Sequence, residues 1–124
     1  MDAKSQARQG RIQELFRELA ELRVEEMADA GNFDQTPHFS VIERSASELA
    51  KQLSRKIQER ASREGVARGQ SQAICPTCGA ICVVTTRCRT VMGVDGPFEL
   101  TEAVADCRQC RRSFFPSADG DGVR

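Results

Sequence analysis

Two C-x-x-C pairs, Cys75-Pro76-Thr77-Cys78-Gly79 and Cys107-Arg108-Gln109-Cys110, constrain this chain more than any other stretch. Each pair makes a tight turn that aims both sulfurs at one point, and two such turns complete a four-thiolate site. Thiolates at about 2.3 Å satisfy tetrahedral zinc without redox chemistry, so Cys75, Cys78, Cys107 and Cys110 are expected to hold zinc. Gly79 follows the first pair, where a knuckle commonly needs a residue tolerant of positive φ. The span between the pairs is somewhat longer than the usual spacing, which is enough for the outgoing and returning strands of a ribbon.

Other uses of the six cysteines fit less well. A secreted disulfide framework would come with an apolar leader, and the chain starts with the polar Met1-Asp2-Ala3-Lys4-Ser5-Gln6. No run is long and apolar enough to cross a bilayer. A reducing cytosol keeps thiols available for metal, so a cytoplasmic location is expected. Thiol-disulfide exchange needs an exposed, low-pKa thiolate at the start of a helix, whereas here strand-like sequence follows the C-x-x-C. Iron in a rubredoxin-like site would use the same ligands. Cys82 and Cys88 are left over. Cys78-x-x-x-Cys82 has acceptable spacing too, but the two symmetric pairs are preferred and the extra thiols read as packing residues of strands.

Ahead of the cysteines the chain reads as helical. Met1 to Gly10 is a polar lead-in that is expected to fray. Ile12, Leu15, Phe16, Leu19, Leu22 and Met27 then form an apolar stripe, ended by Gly31-Asn32. A connector follows from Phe33 to Phe39, in which His38 reads as solvated. Ser40-Val41-Ile42-Glu43 matches a capping box, and Ile42, Ala46, Leu49, Leu53 and Ile57 follow as a heptad-like seam. The first helix is acid-rich and the second base-rich, which predicts an antiparallel hairpin over residues 11–64 with stripes meeting and flanks attracting. Two isolated helices bury little apolar surface, so a partner, including a second copy, is expected along the seam.

Residues 65–72 lack periodicity and read as a linker. From there the pattern changes to short strands. Ala80 to Thr86 is a strand that Arg87 to Met92 continues or follows; Gly93 to Pro97 contains the Asp-Gly hairpin signal; Phe98 to Ala105 returns to the second pair. The fold class is therefore α+β: a helical hairpin over residues 11–64, a linker over 65–72, a small antiparallel-sheet zinc ribbon over 73–117 and a tail over 118–124. Phe114 and Phe115 are expected to pack beneath the knuckles. The alternating Asp and Gly of the tail lack the following ligands of a calcium loop.

Basic and acidic side chains balance, with 18 of each, so no overall field draws in nucleic acid. Any such attraction must be local, and Arg87, Arg89, Arg108, Arg111 and Arg112 cluster around the cysteines with forks suited to phosphate oxygens. Glu99, Glu102 and Asp106 partly offset them. A ribbon that docks onto another protein without touching DNA is the competing reading.

The order Cys75-Pro-Thr-Cys-Gly79, Arg89-Thr90-Val91 before a glycine-containing turn, Cys107-Arg-Gln-Cys110 and Phe114-Phe115-Pro116 resembles the zinc-binding N-terminal region of Kra-type bacterial insertion-sequence transposases. The segment Phe39-Ser-Val-Ile-Glu43 resembles one upstream in that family, so the likeness runs from about Leu15 to Pro116. Arg111 stands where the family has glycine. The resemblance implies transposon-end DNA as partner. It also implies a large nuclease domain, which would have to follow Arg124; the chain itself is expected to be a truncated, non-enzymatic portion that binds DNA and helps assembly.

Overall fold

The computed structural model describes residues 2–116, so the expected tail over 118–124 lies outside the described residues. Two helices, α1 (Ala3–Asp29) and α2 (Phe39–Ala67), precede four strands: β1 (Gln72–Ile74), β2 (Ile81–Gly93), β3 (Gly96–Cys107) and β4 (Arg112–Phe114). The strands form one antiparallel sheet in the order β1-β2-β3-β4, which makes the fold α+β. No helix among the described residues is long and apolar enough to cross a membrane.

Both helices outrun the expected 11–64 span. α1 begins at Ala3 because Asp2 caps it, with its carboxylate accepting the Ser5 N–H at 2.7 Å. The expected lead-in is therefore helix. α2 continues through Gly65 to Ala67, into the expected linker. Its start also differs from the capping box. The Ser40 N–H donates to His38 Nδ1 at 3.1 Å, and the Val41 N–H to the His38 carbonyl at 3.0 Å. A ring nitrogen does here what a serine or aspartate oxygen does elsewhere, and His38 is a cap rather than a free loop residue.

The chain divides into two compact units, Met1–Ala50 and Lys51–Arg124. In the first, α1 meets the beginning of α2 through Arg23, whose guanidinium donates to the Ser45 carbonyl at 3.1–3.2 Å and lies 3.6 Å from Glu48. The attraction thus runs opposite to the expected sense, with the base on α1 and the acid on α2. The apolar stripe of α1 is not covered within this unit: Met27 is the buried residue of α1, while Phe16 and Leu22 are about half exposed.

In the second unit the later turns of α2 lie along the outer edge of β3. The Glu99 N–H donates to Glu59 Oε1 at 3.2 Å and the Thr101 N–H to Ser62 Oγ at 3.1 Å. Ser54 Oγ donates to the Asp95 carboxylate and Arg55 to the Asp95 carbonyl at 2.8 Å. Alternate residues of a strand present N–H to the same side, so Pro97, which has none, falls where no partner is needed. Further along, Ala105 and Cys107 pair with β4. Side chains of α2, a proline and β4 together cover an edge that would otherwise be open to foreign strands.

The hairpin between β2 and β3 is a single long ribbon, with Gly93 paired to Gly96 around Val94 and Asp95. Gly96, at φ 111°, takes the left-handed turn; a Cβ there would stand 3.1 Å from Arg55 Nη1. Buried residues gather at the opposite end, where Cys75, Cys82, Ala105 and Cys107 form the core, with Val84 and Phe114 against it. Phe115 instead stays 41% exposed, with Arg87 stacked 5.3 Å from its ring centre.

Removing the Ser62 hydroxyl leaves the Thr101 N–H without its acceptor. Ser62→Ala is expected to lower stability by about 1–2 kcal/mol in denaturant unfolding, whereas Ser→Ala at the exposed Ser47 should change it by under about 0.5 kcal/mol.

Candidate metal centre

The end of the β2–β3 ribbon brings two loops together. The first lies between β1 and β2, where the Gly79 N–H donates to the Cys75 carbonyl at 2.9 Å and the Cys75 N–H to the Ala80 carbonyl at 2.8 Å. The second lies between β3 and β4. Strand pairing on both sides holds the loops at a common end, and the Sγ atoms of Cys75, Cys78, Cys107 and Cys110 lie within 4.8 Å of one another. Cys75 and Cys110 are 3.8 Å apart, and Cys78 and Cys107 are 3.5 Å apart. A tetrahedral ion with bonds of about 2.3 Å needs sulfurs about 3.8 Å apart, and a disulfide needs about 2.05 Å. The arrangement suits a shared ion and is no disulfide.

The loops repeat one device. In each, the N–H of the second cysteine points back at the sulfur of the first. The Cys110 N–H lies 3.4 Å from Cys107 Sγ and is the largest influence on that thiol, which is held down to about 6 in spite of burial. The Cys78 and Thr77 N–H groups likewise lower Cys75. The second cysteines go the other way. Contact with the Cys78 sulfur, with burial, pushes Cys110 up to about 12. At Cys78 the strongest influence, the Ala80 N–H, favours the thiolate, yet the Cys107 sulfur and burial raise the thiol on balance. Four adjacent sulfurs cannot all carry charge unless a cation sits among them, so the site titrates as a unit whose full ionisation requires a metal.

Symmetry extends one residue further. Gly79 has φ 77° and Arg111, one residue past the other pair, has φ 55°. Each occupies the left-handed conformation that lets the chain leave its knuckle. Arginine stands where glycine would be strain-free, at a cost of about 1–2 kcal/mol.

Neither remaining thiol joins the cluster. Cys82 is 4% exposed, packs beneath the site, donates to the Ala80 carbonyl at 3.5 Å and is raised by burial. Cys88 is exposed on β2 and contacts Thr101 Oγ1, its cross-strand neighbour.

The five arginines fall into two groups. Arg87 and Arg89 lie on β2 opposite Glu102 of β3 and converge on its carboxylate. Arg87 donates at 3.1 Å to one oxygen, and Arg89 at 3.1 and 2.8 Å to the other. Glu102 has 13% of its side chain exposed, and Arg89 foremost holds its carboxyl below the usual range. Arg108, Arg111 and Arg112 are exposed around the second knuckle, and among the described residues no ion pair engages them. The neighbouring Asp106 is occupied by the Ser113 hydroxyl. The sequence showed all five; the pairing that separates them depends on strand register.

Comparison with protein-family models, curated proteins and solved structures finds no match to this chain.

Two outcomes test the centre. The four thiols titrate together, the lowest step held down to about 6 and the highest pushed up to about 12, so metal binding at pH 7 should release fewer than four protons per ion, and more as the pH falls through 6; calorimetry in buffers of different ionisation enthalpy reads this number. In the metal-loaded protein, Gly79→Ala should cost about 1–2 kcal/mol through backbone strain alone, since no atom lies within 4 Å of the added Cβ, and Arg111→Gly should be neutral or stabilising by up to about 1 kcal/mol in denaturant unfolding.

Proposed function

We propose that this chain is a zinc-stapled module that binds DNA and supports assembly, of the kind found at the N-terminal end of Kra-type insertion-sequence transposases, with no strand-cleaving chemistry of its own. Cys75, Cys78, Cys107 and Cys110 hold the zinc in a closed four-sulfur site, which suits a structural ion because no position is left for water or substrate. The ion's work is mechanical: it fastens the loops that carry the basic surface.

The observation that carries the DNA reading is the exposed trio Arg108, Arg111 and Arg112. Four thiolates and one divalent ion leave a charge of about −2 at the centre, so part of this basicity balances the site. Three guanidinium groups exceed that requirement and, unpaired among the described residues, suit phosphate oxygens. Arg87 and Arg89 contribute less, because Glu102 already occupies their forks. Their engagement favours a second reading, a ribbon that docks onto another protein without touching DNA.

Titration of the zinc-loaded protein with labelled terminal-repeat DNA separates the two. Binding should weaken as salt rises. Replacing Arg108, Arg111 and Arg112 by Gln should lower the slope of log affinity against log salt by roughly 2–3, while Arg87→Gln with Arg89→Gln should leave it nearly unchanged. Absence of binding at low salt would exclude the DNA role and leave the protein-docking one.

A further inference from the structure

The first helix is built against its own interest as a single helix. Lys4, Arg8 and Arg11 stand in its first half against Glu14 alone, while Glu18, Glu21, Glu25, Glu26 and Asp29 stand in its second half against Arg17 and Arg23. Apart from the capping Asp2, its first turn holds no acid, and its last turn holds no base. Helix dipoles favour the reverse, acids early and bases late. The helix also leaves its stripe uncovered: Ile12 is 36% exposed, Leu15 39%, Phe16 49% and Leu22 56%. Among the described residues of the Met1–Ala50 unit, Met27 is the buried apolar side chain.

We infer that α1 pairs antiparallel with α1 of a second copy of this chain. In a heptad frame Ile12 and Leu19 share one seam position, and Leu15 and Leu22 the other. Antiparallel seams match the first kind with the second. Ile12 then faces Leu22 of the other copy, Leu15 faces Leu19, and Phe16 meets its own counterpart near the twofold axis. The same register sets Arg8 against Glu26 and Arg11 beside Glu25, at both ends at once because the contact is isologous. The charge order that disfavours the lone helix becomes complementary along the pair, and each dipole lies against its opposite. A parallel pair would instead oppose Arg8 to Arg8 and Glu26 to Glu26. The pairing needs neither the metal nor DNA, so its failure and the failure of the DNA reading are separate results.

Light scattering on the full, zinc-loaded chain at tens of micromolar should give a mass near twice 13.7 kDa. Leu15→Glu, at a position already exposed, should return it to one copy while the far-ultraviolet spectrum still shows folded helices. Arg8→Glu with Arg11→Glu should weaken the dimer at least tenfold, as should Glu25→Arg with Glu26→Arg in a separate chain, and mixing the two variants should restore it. A monomer throughout the concentration range overturns the proposal. So does a dimer that ignores Leu15→Glu, or one that keeps its affinity with either charge reversal.

Discussion

The strand-bearing part of this protein depends on four sulfurs meeting at the end of a long hairpin. Its buried side chains are small: Cys75, Cys82, Val104, Ala105 and Cys107, with Thr101, and no large side chain among the described residues is fully buried. At about 25 cal/mol per Å² of apolar area, so small a core does not by itself offset the entropy of ordering the strands. A bound structural ion would contribute on the order of 10 kcal/mol. With an ion bound, the knuckles would be where the ribbon's stability is concentrated. Both copies of the knuckle backbone are kept, even where Arg111 must adopt a conformation better suited to glycine.

The rest of the ribbon is held by hydrogen bonding at an edge. The outer side of β3 is covered piece by piece, by α2 side chains at Glu99 and Thr101 and by β4 at Ala105 and Cys107. A helix turn advances about 5.4 Å and two strand residues about 6.6 Å. Side chains four or so residues apart on α2 can therefore reach successive outward N–H groups. This geometry makes the later turns of α2 part of the ribbon's own unit, instead of half of a separate helical domain.

Electrostatics divides what composition groups together. Glu102 gathers Arg87 and Arg89 because strand register places all three on one face. Arg108, Arg111 and Arg112, on the second knuckle and the start of β4, make no ion pair among the described residues. Equal totals of acids and bases thus conceal a paired face and a more basic knuckle. In α1 the same totals conceal a gradient along the axis, opposed to the helix dipole.

Much of the architecture is legible from local pattern alone. The C-x-x-C spacing marks both knuckles, the change from helical to alternating period marks where strands begin, and the α+β class follows. These signals lie within a few residues of one another, so the amino-acid order carries them. Helix ends were less legible: Asp2 and His38 cap through individual side-chain geometry that competes with the more familiar serine signature. What only the tertiary structure decides are relations between distant residues. It gathers Cys75, Cys78, Cys107 and Cys110 with Cys82 packed beneath them, ties Arg87 and Arg89 to Glu102, moves the end of α2 onto the edge of β3 and leaves the stripe of α1 exposed. The first three depend on which strands pair and in what register, and register is set by the whole sheet rather than by any one segment.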